Sequence, residues 1–118
     1  MNVFVVEDFP AIRRMIVSRL GEIERVDVVG EAEGEADALT LIRKSEPDVV
    51  LLDLSLAGGG SGLKVLKELR RGGFSSKVFV VSTESAGAQA CVQAGADGFY
   101  DKASELERLF VDLANLAR

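Results

Sequence analysis

The sequence predicts an α/β domain in which one parallel sheet is covered by helices on both faces. Strand-like and helix-like segments alternate five times along the 118 residues, which is the pattern of a doubly wound fold with right-handed crossovers. The segment 48–54 (DVVLLDL) is apolar on both sides, as expected of a parallel strand between two helix layers. The length fits one domain over residues 1–118.

Five segments have the composition of strands. They are residues 2–7 (NVFVVE), 26–30 (VDVVG), 48–54 (DVVLLDL), 78–82 (VFVVS) and 98–101 (GFYD). Their β-branched and aromatic residues favour extended backbone, and turn-forming residues separate them. Each is therefore predicted to be one strand of the sheet.

The segments between the strands have helical periodicity. Helix one follows Phe9-Pro10, helix two covers 34–45, and helix three runs from Ser61, its predicted N-cap, to about Arg71. A short helix four precedes a fifth that starts near Ser104. The predicted core positions are Ile12, Met15, Ile16, Leu20 and Ile23 in helix one, Ala38, Leu41 and Ile42 in helix two, Ala88, Cys91 and Val92 in helix four, and Leu106, Leu109, Phe110, Leu113 and Ala117 in helix five.

The composition excludes several kinds of site. The net charge of −5 disfavours nonspecific binding to nucleic acid or anionic lipid. The chain has no histidine, which removes His-ligated zinc and Ser-His or Cys-His nucleophile pairs, and Cys91 is predicted to be a small buried apolar residue. No apolar run approaches the length of a membrane span and no signal peptide is evident, so a soluble, cytoplasmic protein is expected.

Polar side chains gather where the predicted strands end. The set consists of Glu7 and Asp8 after strand one, Asp53 at the end of strand three, Ser82 and Thr83 after strand four, and Lys102 after strand five. Carboxyl ends of parallel strands share one edge of the sheet, where ligands bind in such folds. Carboxylate oxygens suit Mg²⁺, and a lysine supplies a second cation. The set therefore predicts a carboxylate nucleophile that attacks phosphorus.

Each of these residues has a simpler interpretation on its own. An acidic pair such as Glu7-Asp8 is common at a helix start, and a lone Lys102 or Ser82 is usually a solvated side chain. Asp53 is harder to dismiss, because a carboxylate closing a buried strand is rarely neutral to stability. Chance does not easily explain why all of these residues occur at the corresponding ends of strands one, three, four and five.

The set VFVVED, VVLLDL, VFVVS and GADGFYDK resembles the receiver domain of two-component response regulators over essentially the whole chain. The resemblance implies a flavodoxin-like, three-layer sandwich with strand order 2-1-3-4-5. It implies that Asp53 accepts a phosphoryl group from a sensor histidine kinase or phosphotransfer protein, with Mg²⁺ as cofactor. A downstream target protein would then respond to the altered surface of helix four, strand five and helix five.

The same resemblance assigns roles to individual residues. The implied metal ligands are Glu7, Asp8, Asp53 and Ser55, and the implied reactive set is Asp53, Lys102 and Ser82. Thr83 is the alternative hydroxyl, although the spacing from Lys77 favours Ser82. Ser82 and Phe99, three residues before the lysine, would form the switch. The domain would catalyse only its own phosphorylation and dephosphorylation.

Four features depart from the family pattern. Ala57 stands where a proline is usual, and AGGGSG carries one extra residue. Ala103 follows Lys102 in place of a cis proline; since a non-proline cis bond costs about 2.5–4 kcal/mol, a trans bond is expected. The stretch from Ser82 to Gly95 is about two residues short, which trims the loop or the first turn of helix four.

The same residues fit other functions less well. A haloacid-dehalogenase-type phosphatase needs Asp-x-Asp-x-Thr, but Ser55 and Ala57 follow Asp53, and a Rossmann motif needs glycine where Leu63 stands. The glycines are expected to form a tight turn. The serious alternative is a phosphorylation-independent adaptor, or pseudo-receiver, which the intact acidic residues and Lys102 disfavour. Output is expected by protein contact, without nucleic acid or membrane, unless the sequence is part of a longer regulator.

Overall fold

The central sheet is parallel and five-stranded. The computed structural model describes residues 1–118. Its sheet strands are β1 Asn2–Val6, β2 Asp27–Ala32, β3 Val49–Leu52, β4 Lys77–Ser82 and β5 Gly98–Asp101. They lie in the order β2-β1-β3-β4-β5, so the predicted flavodoxin-like topology is confirmed.

Five helices connect and follow these strands. They are α1 Pro10–Gly21, α2 Glu35–Ser45, α3 Gly62–Arg71, α4 Ala88–Gln93 and α5 Leu106–Leu116. The short α4 is preceded by a single 3₁₀ turn, Ser85–Gly87, in agreement with the shortened segment in the sequence. None of the helices has both the length and the apolar character that crossing a bilayer requires.

Alternate residues of each strand enter two separate cores, as the two-residue period of a strand requires. In β1, Val3 and Val5 pack with residues of α1 and α5 on one face. Phe4 and Val6 pack on the other face with residues of α2 and α3 and with Cys91 of α4. The cysteine is fully buried, as predicted. The sheet is thus covered on both faces, and its carboxyl edge stays free of helix.

Several predicted boundaries and core positions were wrong. Strand β2 continues to Ala32, beyond the predicted end at residue 30, because Glu31 and Ala32 still pair with β1. Strand β3 ends at Leu52, so Asp53 follows the strand. Val92 is 60% exposed rather than in the core, because α4 is too short to present a second apolar turn to the sheet.

A predicted core position of α2 was also wrong. Leu41 is 40% exposed, because Ala38 and Ile42, one turn apart, form the buried face of this helix.

The start of α5 also differs from the expectation. Asp101 accepts hydrogen bonds from the amides of Ala103 (2.8 Å) and Ser104 (3.1 Å), which forms a turn after β5. The helix therefore begins at Leu106, not near Ser104. Every peptide bond is trans, including the one between Lys102 and Ala103, as predicted.

The glycine-rich segment after β3 forms a small antiparallel hairpin, Ser55–Leu56 with Gly60–Ser61. Its tip uses Gly58 and Gly59 at φ of 70° and 77°, a region that favours glycine, so the predicted tight turn accommodates the extra residue. Gly62 packs so closely on the loop that a Cβ there would lie 1.9 Å from the carbonyl oxygen of Asp53. The Ser61 hydroxyl caps α3, as predicted, by accepting from the Lys64 amide at 3.4 Å.

Candidate functional site

The acidic residues from β1 and β3 meet at the carboxyl edge of the sheet. The Glu7 amide donates to the Ala32 carbonyl at 3.0 Å, and the Asp53 amide donates to the Val6 carbonyl at 3.0 Å, so both residues continue the sheet's backbone pairing. One carboxylate oxygen from each of Glu7, Asp8 and Asp53 lies within 4.8 Å of the others. Glu7 and Asp53 are buried and Asp8 is half-buried, so the cluster opens to solvent on the Asp8 side.

Lys102 bridges two of these carboxylates. Its Nζ lies 2.6 Å from Glu7 Oε1 and 2.9 Å from Asp53 Oδ2, and its side chain is only 17% exposed. The Lys102 amide donates to the Ser82 carbonyl at 3.0 Å, which fixes the lysine at the end of β5. One ammonium thus pairs with two carboxylates, and the third, Asp8, lies nearby. The site carries surplus negative charge that a second cation would neutralise.

The surroundings shift the pKa values of this pair. Burial raises the pKa of Glu7, and the nearby Asp53 charge adds to the rise, while hydrogen bonds from Lys102 and the Phe9 amide oppose it. Burial by itself lowers the pKa of Lys102, but the bonds to Glu7 and Asp53 outweigh it and the pKa is raised. The lysine therefore stays charged at neutral pH.

The hydroxyl candidates are placed differently. Ser82 is buried at the end of β4, whereas Thr83 is exposed, so Ser82 is the hydroxyl that lies inside the edge of the sheet. The Ser82 Oγ accepts a hydrogen bond from the Glu84 amide at 3.0 Å. Ser55 donates from its own Oγ to Glu84 Oε1 at 3.0 Å, and its amide points at Asp53 Oδ1 at 3.4 Å. Glu84 thereby connects the loops after β3 and β4.

Phe99 lies on the α4 side of the sheet. Its half-buried ring packs against the core that contains Val80 and Cys91, and Phe99 is the strand partner of Val80. Ser82, two residues after Val80, is on the same face, so the hydroxyl and the aromatic ring are near neighbours along one side of the sheet. Tyr100 takes the opposite face, where its hydroxyl donates to Asp112 Oδ2 at 2.7 Å.

Two residues at the site were missed in the sequence. Glu84 had no local signal, because its contact to Ser55 spans 29 positions. Arg13 donates from Nη1 to the backbone carbonyl of Glu7 at 2.7 Å. Its position one turn into the helix after the acidic pair was the only available hint. Every residue predicted for the metal and the reactive set lies at this edge of the sheet.

Known proteins match both the sequence and the fold. Residues 3–114 match the family model of the response regulator receiver domain. This chain belongs to that family. The receiver domain is 38% identical over 111 residues to the response regulator GacA of Pseudomonas aeruginosa, which covers 92% of this chain and 51% of GacA. It is 37% identical over 110 residues to the nitrate/nitrite response regulator protein NarP of Escherichia coli, covering 92% of this chain and 51% of NarP.

Solved structures agree with these sequence relatives. The signal receiver domain of a NarL response regulator from Mycobacterium tuberculosis superimposes with a TM-score of 0.87 at 34% identity, covering 98% of this chain and 94% of that one. The receiver domain described here spans about half the length of the curated relatives it matches. The resemblance noted in the sequence is therefore confirmed at the level of family and fold.

Proposed function

We propose that this receiver domain is a phosphoryl-accepting switch and that Asp53 is the residue phosphorylated. One observation carries the proposal: the buried Asp53 carboxylate contacts Lys102 and lies beside Glu7 and Asp8, so that one ammonium pairs with two carboxylates and a third lies nearby. A purely structural cluster would gain stability from matched charges, which this site lacks.

The residues present fit a magnesium ion. Mg²⁺ binds through one or two carboxylates together with waters and phosphate oxygens, and every donor in the cluster is an oxygen. Glu7, Asp8 and Asp53 would hold the ion, with Ser55 beside them as the fourth ligand that the sequence suggested. When bound, the ion would neutralise charge on the transferred phosphoryl oxygens.

Asp53 is the nucleophile in this proposal. A carboxylate oxygen of Asp53 forms a bond to phosphorus as the bond from phosphorus to the donor breaks, and the electron pair of that bond returns to the donor's imidazole nitrogen or, for an acyl phosphate, to its carboxylate oxygen. The chain has no histidine, so the donor is another protein, a sensor histidine kinase or phosphotransfer protein, or a small acyl phosphate. Lys102 stabilises charge on the phosphoryl group, and the domain acts on no other substrate.

Phosphorylation would change the hydrogen bonds of Ser82 and Lys102. The phosphoryl group adds about −1.5 to −2 charge and several acceptor oxygens. The Ser82 hydroxyl, which accepts from the Glu84 amide in this structure, would turn to donate to the phosphoryl group. Movement of Ser82 inward would open space for Phe99 on the same face. The altered surface of α4, β5 and α5 is then what a downstream target protein contacts.

The hydrogen bonds from Ser82 and Lys102 to the phosphoryl group can supply the free energy that switching requires. Converting a 1:99 mixture of inactive and active states into 99:1 takes about 5.5 kcal/mol of differential stabilisation. Two hydrogen bonds to a charged group contribute about 1.5–3 kcal/mol each. Loss of either the Ser82 or the Lys102 contact should therefore leave switching incomplete.

Treatment with acetyl phosphate and Mg²⁺, followed by intact-mass measurement, tests the proposal. We expect the wild-type chain to gain one phosphoryl group and Asp53→Asn to gain none. Phosphate retained by Asp53→Asn would contradict the assignment of Asp53. A wild-type chain that gains no phosphoryl group would favour the phosphorylation-independent adaptor.

Thermal melts test the metal site independently of phosphorylation. At a Mg²⁺ concentration tenfold above its Kd, binding to the folded state alone adds about 1.4 kcal/mol to the free energy of unfolding. Asp8→Ala should reduce this stabilisation, because it removes the half-buried carboxylate that faces solvent. An equal stabilisation of the wild type and Asp8→Ala would refute the predicted ligand set.

A further inference from the structure

Arg13, in the first turn of α1, contacts the loop that carries the acidic pair Glu7 and Asp8. Its Nη1 donates to the Glu7 carbonyl at 2.7 Å, and this carbonyl belongs to the peptide group that joins Glu7 to Asp8. The side chain is mostly buried, at 19% exposure. It therefore contacts the backbone between two predicted metal ligands without contacting either carboxylate.

Two further carboxylates hold the guanidinium in place. Arg13 Nε lies 3.3 Å from Glu31 Oε1, at the end of β2, and Nη1 lies 3.8 Å from Glu33 Oε2 in the loop that follows. The Glu7 amide in turn donates to the carbonyl of Ala32, between these two residues. Arg13 thus ties the acidic loop to the end of β2 from one side, while the sheet ties it from the other.

We propose that Arg13 is a positioning residue for the divalent-cation site, acting through the Glu7 carbonyl to hold Glu7 and Asp8 in the orientation that binds the ion. The inference rests on the proposed function, since it requires that site. Carboxylates so close together repel one another in the absence of a metal, and a fixed peptide group between them keeps the two side chains from separating. Residues that orient metal ligands typically change metal affinity by about tenfold or more when removed.

Charge and positioning make opposite predictions for this residue. If Arg13 acted only through its positive charge, its removal would tighten Mg²⁺ binding, because a cation near the site would be gone. If Arg13 positions the loop, its removal weakens binding in spite of the lost charge. Arg13→Lys separates the two further, since it keeps the charge but replaces the planar, multiply donating guanidinium with a single ammonium.

The experiment compares Arg13→Ala and Arg13→Lys with the wild type and with Arg14→Ala, an exposed arginine on the next position of α1. The Kd for Mg²⁺ is obtained from the increase in unfolding free energy with Mg²⁺ concentration. Amide hydrogen exchange of residues 7–9 is measured in the metal-free protein. We expect Arg13→Ala to weaken Mg²⁺ binding about tenfold, Arg13→Lys to weaken it severalfold, and Arg14→Ala to leave it within twofold. Exchange at Phe9, whose amide donates to Glu7 Oε2 at 3.0 Å, should accelerate only in the Arg13 variants.

Other results would overturn the inference in distinguishable ways. Tighter binding in Arg13→Ala with unchanged binding in Arg13→Lys would show a charge effect alone. A lower melting temperature with the wild-type Kd and unchanged exchange at Phe9 would show a structural role only. A wild type that does not respond to Mg²⁺ would overturn the metal site and this inference together, whereas a responsive wild type with unaffected Arg13 variants would overturn the inference alone.

Discussion

The two ends of the central sheet each carry a polar network around one cation, and the networks differ in how the charge is matched. At the amino end, Arg70 donates to the carbonyls of Phe74, Ser76 and Gly95 at 2.7–3.1 Å and pairs with the single carboxylate of Asp97 at 3.0 Å. At the carboxyl end, Lys102 meets two carboxylates and a third lies nearby.

The difference distinguishes a network that is complete within the protein from one that, in our proposal, binds a metal ion and a phosphoryl group. The carbonyls around Arg70 carry no net charge, so this network ties the loops before β4 and β5 together and is complete within the protein. The Lys102 network remains short of positive charge. Both networks bring loops together from distant parts of the sequence, so contacts alone would not have told them apart.

Removal of the cation at the centre of each network, Lys102 or Arg70, should give the largest difference between the two ends of the sheet. Lys102→Met leaves the buried carboxylates of Glu7 and Asp53 without a partner and should lower the free energy of unfolding by about 3 kcal/mol in EDTA. Mg²⁺ should restore part of this loss, because a bound cation takes over the neutralisation, and should stabilise this variant more than the wild type. Chemical denaturation with and without Mg²⁺ measures both quantities.

Arg70→Met is the matched variant at the other end of the sheet. It should also be destabilised, because the partly buried carbonyls of Phe74 and Ser76 lose their donor, yet its stabilisation by Mg²⁺ should equal that of the wild type. Equal Mg²⁺ responses in the Lys102 and Arg70 variants would remove the distinction between the two networks.

The pH dependence of stability should also single out the carboxyl end. The pKa of Glu7 is raised above its ordinary value of 4.5, chiefly by burial, so the folded protein holds this proton more tightly than the unfolded chain does. The resulting stabilisation is complete below pH 4.5 and is lost as the pH rises through the pKa of the folded state.

Metal-free wild type should therefore lose stability more steeply above pH 4.5 than Glu7→Gln, which cannot titrate at this position. Urea titrations at several pH values in EDTA give the two slopes. Parallel curves for the two proteins would refute the assignment of the slope to Glu7. Saturating Mg²⁺ should favour the ionised carboxylate and make the wild-type slope shallower.

The smallest effect is expected for the exposed contact between the loops. Ser55→Ala removes the hydrogen bond to Glu84, whose amide holds the Ser82 hydroxyl in its observed orientation. An exposed hydrogen bond contributes at most about 1 kcal/mol, so the active state should gain only a few-fold in population. Affinity for beryllium fluoride, a phosphoryl mimic, is measured at saturating Mg²⁺, so that loss of Ser55 as a proposed metal ligand does not lower metal occupancy. It should tighten by the same factor, while Ser18→Ala on the exposed side of α1 should leave it unchanged. Weaker affinity in Ser55→Ala would show that the contact supports the active state instead.

The sequence was sufficient for features that repeat along the chain. Apolar strands that alternate with helices led to the sheet and both of its cores, and the shared edge of parallel strand ends brought Glu7, Asp53 and Lys102 together. Spacing was also sufficient to favour Ser82 over Thr83, and Ser82 is the buried one of the two.

Features that depend on tertiary contacts could not be predicted from the sequence. The bond from Arg13 to the Glu7 carbonyl depends on the angle at which α1 leaves β1. The extension of β2 depends on pairing with β1, since GEA lacks the β-branched residues that mark strands. Val92 was misplaced because an apolar residue in a six-residue helix has no periodicity long enough to define a buried face.

Amide hydrogen exchange with and without phosphorylation tests most directly whether the two ends of the sheet differ in function. Phosphorylation of Asp53 should change protection within residues 82–102, at the carboxyl ends of β4 and β5 and along α4, with the largest change in the 3₁₀ turn Ser85–Gly87 before that short helix. The loop of Phe74 and Ser76 at the amino end should remain unchanged. Changes confined to α1 and α2, with residues 82–102 silent, would contradict the account.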